Sequence, residues 1–136
     1  MAVYTRQVKV RFAYCDPAGI IFYPRYFEIL NSVVEDWFCD ELGHSFRDLL
    51  ENFGIGTPMV DIQTEFLKPC RLDDLLDISL SLEKAGTSSA VIIVNARIGD
   101  ALHIRTRGVL VCAKTDLSSS APWPDDIAIN MQKYLP

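Results

Sequence analysis

Asp16 is the only acidic residue in the stretch Tyr14–Phe27, YCDPAGIIFYPRYF. Apolar Ile20, Ile21, Phe22 and Tyr23 follow it, and then Pro24 opens a helical pattern. A helix start exposes N–H groups without acceptors and carries a partial positive charge. Pro24 cannot donate, so Tyr23, Arg25 and Tyr26 offer the nearest free N–H groups. A carboxylate facing such donors across an apolar pocket suits acyl transfer. The donors would polarise a carbonyl and hold its oxyanion. The carboxylate would attack the carbonyl carbon or deprotonate a water. The plainer reading is local: Asp favours turns, and Asp-Pro starts them.

Other chemistries find little support. There is no GxSxG motif, and the chain has only two histidines, His44 and His103. His44 falls just past the long helix, where it reads as a cap or dipole partner. His103 sits beside Arg105 and Arg107 in a strand pattern and reads as solvated. GxGxxG and P-loop patterns are absent, and no acidic or histidine group has metal spacing. The acids of RLDDLLD read as a turn at a strand start. Cys15, Cys39, Cys70 and Cys112 are widely spaced with no CxxC pair. They read as reduced thiols, several of them buried.

The elements that must position Asp16 are legible from period. RQVKVRF alternates Val8, Val10 and Phe12 against polar residues, a half-buried strand. From Pro24, apolar Phe27, Leu30, Val33, Val34, Trp37, Phe38 and Leu42 recur at three- and four-residue spacing. That is an amphipathic helix, with Pro24 in its first turn and Gly43 as its C′ stop. Its length of about 19 residues makes a rod of roughly 28 Å. SFRDLLENFG predicts a short second helix. Four strand patterns follow. The first places Val60, Ile62, Thr64 and Phe66 on one face. The second alternates Leu76, Ile78, Leu80 and Leu82 with polar residues. The last two flank a Gly99-Asp100 turn. DDIAINMQKYL predicts a terminal helix. This order implies an α+β fold with an antiparallel sheet of about five strands.

The bulk properties agree with one globular domain, residues 1–136. The chain is 49% hydrophobic and 23% charged, with a net charge of −5. That charge argues against nucleic-acid binding. No apolar run is long enough to span a bilayer, and the first residues lack a secretory h-region, so the expected location is cytoplasmic.

YCDPAGIIFYPRYFEIL resembles the signature of hot-dog-fold acyl-CoA thioesterases of the 4-hydroxybenzoyl-CoA thioesterase type. Asp16, Gly19, Ile20, Tyr23 and Tyr26 match the signature's positions. FGIGTPMVDIQTEFLKPCRLDDLLDI and GTSSAVIIVNARI extend the resemblance over most of the chain. The resemblance implies a long central helix wrapped by a curved antiparallel sheet. It implies dimers that pair into homotetramers, with sites at subunit interfaces. It also implies Asp16 as the catalytic carboxylate, as nucleophile or general base, and the Tyr23 backbone N–H as the donor to the thioester carbonyl. No metal or redox cofactor is implied; coenzyme A belongs to the substrate. Gly19, Ile20, Phe22, Tyr26, Asn31, Thr57 and Lys84 are the implied substrate-binding positions. Thr57 matches the hydroxybenzoyl-specific branch. Asn31 replaces that branch's Asp, Phe46 its Trp, and LEKAGTSS keeps only Lys84 of its basic run. The acyl group is therefore either aromatic or short to medium aliphatic.

Lys68, Arg71, Lys84, Arg105 and Arg107 are candidates for the coenzyme A phosphates. Two other readings compete. A hydratase or dehydratase would need a His near Asp16, and none is present. A non-catalytic acyl-binding or protein-interaction module would have no need of Asp16.

Overall fold

The period change at Pro24 resolves into helix α1 (Tyr23–Trp37). The computed structural model covers all 136 residues. Pro24 lies in the first turn of α1, where its missing N–H costs nothing. The helix continues as a wider π-type turn over Phe38–Leu42, and Gly43, with φ of 91°, stops it in the left-handed region. The sequence places both ends correctly. Tyr26, Ile29, Leu30, Val33, Val34 and Trp37 form its buried stripe. The aliphatic members each contribute about 1.5–3 kcal/mol on burial.

That stripe packs on a five-stranded antiparallel sheet. Its strands are β1 (Tyr4–Lys9), β3 (Met59–Phe66), β4 (Leu75–Ala85), β5 (Ser89–Ile98) and β6 (Ala101–Val111). They are ordered β1-β4-β5-β6-β3. A small second sheet pairs β2 (Ile55–Gly56) with β7 (Ala113–Lys114). Alternation fixes the sheet's two faces. Leu76, Ile78, Leu80 and Leu82 of β4 face the helix, as do Ile92 and Val94 of β5 and Ile104 of β6, and all are buried. The β5–β6 hairpin turns at Gly99, whose φ is 59°. This is the α+β arrangement the element order implies.

Two strand expectations change. β1 begins at Tyr4 and ends at Lys9; Val10 is buried, but Phe12 lies in a single 3₁₀ turn and is 82% exposed. In β3, Ile62, Thr64 and Phe66 do share a face, but a bulge at Val60 breaks the alternation there, and Val60, Ile62 and Phe66 are all exposed. The reason is position: β3 is an edge strand, and its outer side has no neighbour.

The second helix, α2 (Phe46–Asp48), widens through Leu49–Phe53 and ends at Gly54. Helix α3 (Asp125–Gln132) follows the Pro-rich loop. His44 joins these pieces. Its Nδ1 pairs with Asp48 and its Nε2 lies 2.5 Å from Asp126 Oδ2, with the Phe53 ring edge-on at 5.1 Å. The Asp48 hydrogen bond first, and Asp126 with it, raise the His44 pKa above its ordinary 6.5. The four cysteines are free thiols; Cys70 and Cys112 are buried, and burial pushes each up to about 11. No helix is long and apolar enough to cross a membrane.

A group whose pKa is raised by folding adds stability that is complete below its unfolded value and is lost as pH climbs through the folded one. Thermal melts should therefore show His44→Gln less stable than wild type at about pH 6, with the gap closing by about pH 9. A gap independent of pH would show that His44 acts through packing alone.

Candidate active site

The turn that carries Asp16 is closed by its own backbone. The Asp16 N–H donates to the Ile20 carbonyl at 2.9 Å, and the Gly19 N–H to the Asp16 carbonyl at 2.9 Å. Gly19 has φ of 76°, a conformation that a Cβ would strain. The Ala18 N–H donates to Asp16 Oδ1 at 2.8 Å. Asp16 is thus a turn residue, as the plainer reading holds, but only one carboxylate oxygen is engaged. The turn anchors the carboxylate and leaves its second oxygen for other work.

Neighbouring segments hold this turn in place. The Ile21 N–H donates to Cys70 O at 2.8 Å, Leu72 N–H to Gly19 O at 2.9 Å, and Phe22 N–H to Tyr14 O at 2.8 Å. Phe22 then becomes the N-cap of α1. Among the three expected donors, the Arg25 N–H already bonds Phe22 O at 2.9 Å. Tyr26 is fully buried, so its N–H is closed to an incoming group. Tyr23, the first helical residue, has no acceptor four residues back within the helix. Its N–H is the open one.

Asp16, Ile20, Ile21, Phe22 and Tyr23 line one side of a cleft of about 480 Å³. The facing wall is Phe66–Cys70 with Ile104 behind it. That wall is held by His103. The His103 carbonyl accepts from Leu67 and Lys68 N–H at 2.8 and 3.2 Å, and its Nδ1 lies 3.0 Å from Pro69 O. The ring is half-buried rather than solvated, a correction to the sequence reading. Cys70 Sγ lies 3.8 Å from the same Nδ1, but this is no catalytic dyad. A ring nitrogen donating to a carbonyl cannot accept the thiol proton, and the buried thiol's pKa is pushed up to about 11. Nothing local in FLKPC marks this wall; only the chain's return to the helix start creates it.

The remaining expected site residues scatter. Tyr26 is fully buried in the core, its hydroxyl 3.0 Å from Thr106 Oγ1, so it does not line the cleft. Asn31 and Thr57 meet in a separate depression of about 280 Å³, with Phe46, Leu49, Leu50 and Ile55. Asn31 lies eight residues beyond Tyr23, about 12 Å up the helix. Lys84 is exposed at the far end of β4, roughly 30 Å along the strand from Leu75. Arg105 and Arg107 are paired with Glu65 and Glu83 at 2.7 and 2.8 Å. Lys68 stands on the cleft wall, and Arg71 bridges to Ile20 beside it; the side chain of neither is paired with a carboxylate.

Known proteins share this architecture. A 4-hydroxybenzoyl-CoA thioesterase of Pseudomonas sp. (strain CBS-3) is 31% identical over 81 residues, 59% of this chain and 57% of that protein. A 1,4-dihydroxy-2-naphthoyl-CoA hydrolase of Thermosynechococcus vestitus is 29% identical over 82 residues, 60% of this chain and 56% of that protein. The matched segments span little more than half the length of these two relatives. The crystal structure of a 1,4-dihydroxy-2-naphthoyl-CoA thioesterase from Synechocystis superposes with a TM-score of 0.86 at 19% identity, covering 96% of each chain. The family model of the thioesterase-like superfamily matches residues 10–131. With its long helix laid on a five-stranded antiparallel sheet and nearly its whole length matched, the chain belongs to the thioesterase-like superfamily and has the hot-dog fold.

Proposed function

We propose that the protein is an acyl-CoA thioesterase whose reacting centre is the cleft between Asp16 and the Tyr23 N–H. The observation that carries this reading is their meeting on one apolar-walled cleft, with one carboxylate oxygen and one helix-start donor both unengaged. The thioester carbonyl points at the Tyr23 N–H, where the helix dipole adds to the pull on its oxygen. In one route Asp16 takes a proton from water as the water oxygen bonds to the carbonyl carbon. In the other Asp16 attacks first, and water hydrolyses the resulting anhydride. Either way the C–S bond breaks, the thiolate of coenzyme A leaves and takes up a proton, and the acid is released. Only chain residues, water and substrate take part.

The acyl group we propose is aromatic. The relatives' substrates, 4-hydroxybenzoyl-CoA and 1,4-dihydroxy-2-naphthoyl-CoA, support this. So does the second depression, where Asn31 and Thr57 sit among apolar side chains. A neutral amide and a hydroxyl suit a phenolic group without demanding its ionisation. In one chain this depression is apart from Asp16, so the complete site takes its acyl pocket from a second copy. The open edge of β3, with Val60, Ile62 and Phe66 exposed along it, supports pairing of two copies there. Dimers then assemble to homotetramers, and neither nucleic acid nor membrane is a partner. Lys68 and Arg71 are the coenzyme A phosphate contacts, being unpaired and beside the cleft, while Arg105 and Arg107 are held by glutamates.

Thiol release from a panel of aromatic, short-chain and long-chain acyl-CoA esters tests this. Wild type should prefer aromatic esters, and Asp16→Asn should lower kcat by about 100-fold or more. Inactivity of wild type on every ester would sink the enzyme reading; full activity of Asp16→Asn would sink the site assignment. In the same assay Lys68→Ala should raise KM about three- to ten-fold at unchanged kcat, because it removes an interaction made equally in ground and transition states. That increase should shrink at high salt. An unchanged KM would exclude Lys68 as a phosphate contact.

A further inference from the structure

Thr106 is the one buried residue outside the hydrophobic set. Its Oγ1 lies 3.0 Å from the Tyr26 hydroxyl and 3.1 Å from Thr64 Oγ1. Three hydroxyls from α1, β6 and β3 thus meet in an otherwise apolar core. We propose that Tyr26, Thr106 and Thr64 act as a positioning chain that sets the height of the first turn of α1, and with it the Tyr23 N–H, against the cleft. The inference rests on the reading of that cleft as the acyl-transfer site.

The direction of the chain follows from proton counting. Three hydroxyl protons share two internal hydrogen bonds, so one proton is left over. Tyr26 and Thr106 are both fully buried, whereas Thr64 is half-exposed on the edge strand. A leftover proton at Tyr26 would be buried without an acceptor, which is costly. Tyr26 therefore donates to Thr106, Thr106 donates to Thr64, and the spare proton emerges at Thr64.

Stability alone does not call for this arrangement. Replacing both partners of a buried hydrogen bond by apolar groups of like shape is close to neutral, and Phe and Val would fill these sites. What the hydroxyls add is direction. Apolar packing of α1 on the sheet is non-directional and tolerates small slides of the helix. A hydrogen bond at 3.0 Å does not. Tyr26 lies three residues from Tyr23, about 4.5 Å along a rigid helix, so pinning one fixes the other. The Tyr26 ring also stands edge-on to Phe66 at 5.6 Å, and Phe66 lines the opposite wall. One side chain thus ties the donor side of the cleft to its far side. A small misplacement of a catalytic donor can cost one to two orders of magnitude in rate.

The test compares Tyr26→Phe, Thr106→Val, the double variant and Thr106→Ser by steady-state kinetics, thermal melting and the Tyr23 backbone amide resonance in ¹H–¹⁵N spectra. Tyr26→Phe and Thr106→Val should each lower kcat about ten-fold with KM within about two-fold. The double variant should be no worse than the singles, because both cut one chain. Thr106→Ser, which keeps the hydroxyl, should retain wild-type kcat. The Tyr23 resonance should move in Tyr26→Phe and Thr106→Val and stay in place in Thr106→Ser. A folded Tyr26→Phe with wild-type kcat overturns the proposal, as does a loss of rate that merely follows the folded fraction. If wild type hydrolyses no ester, the thioesterase reading falls, and the positioning claim is decided by the amide: an unmoved Tyr23 resonance in Tyr26→Phe overturns it.

Discussion

One constraint governs the molecule: helix α1 must bury a broad apolar stripe while leaving its first turn open. Tyr26 to Trp37 supply the stripe, and the only surface large enough to cover it is the inner face of the sheet. Once the helix lies there, its N-terminus has nowhere to go but the gap between the Asp16 turn and the Phe66–Cys70 segment. The site is a by-product of that packing. A helix shifted by one turn would carry the Tyr23 N–H about 5.4 Å away and leave Asp16 facing an apolar surface with no donor.

The electrostatics are sparse by design of position rather than by number of charges. Several charged side chains are paired on the surface: Arg6 with Asp36, Arg25 with Glu28, Arg105 with Glu65, Arg107 with Glu83. His44 is held between two aspartates at the opposite end of the helix from the cleft. At the cleft itself one carboxylate oxygen, one helix-start N–H and two unpaired cations remain. These few groups stand together between apolar walls, which strengthen any electrostatic interaction made there.

Much of this was legible from residue types. Pro24 and Gly43 bracketed the helix because each has a single stereochemical reason to be there. The alternation in β4 named its buried face residue by residue. The Asp16 turn followed from Asp-Pro chemistry, and the helix start offered Tyr23 as one of three candidate donors, which the resemblance narrowed to one. Other features were not local. β3 has the alternation of a buried strand, and only its place at the sheet edge exposes Ile62 and Phe66. Tyr26 stands within the signature stretch, yet helical phase turns it into the core towards Thr106. Phe12 continues the alternation of β1 past the point where the strand ends. Asn31 and Thr57 are brought together, but away from Asp16, which no spacing in one chain could reveal. The wall made by Leu67, Lys68 and His103 depends on long-range hydrogen bonds between β6 and the segment after β3.

The central claim is that a thioester carbonyl sits between Asp16 and the Tyr23 N–H. The most direct measurement is an amide ¹H–¹⁵N titration with a hydrolysis-resistant aromatic acyl-CoA analogue in which a methylene replaces the sulfur and the carbonyl is kept. Saturable shifts at Tyr23, Gly19 and Lys68, with the Tyr23 amide proton moving as a new hydrogen bond forms, are the predicted result. Saturable binding that leaves the Tyr23 amide unmoved and shifts only residues distant from this cleft would contradict the account.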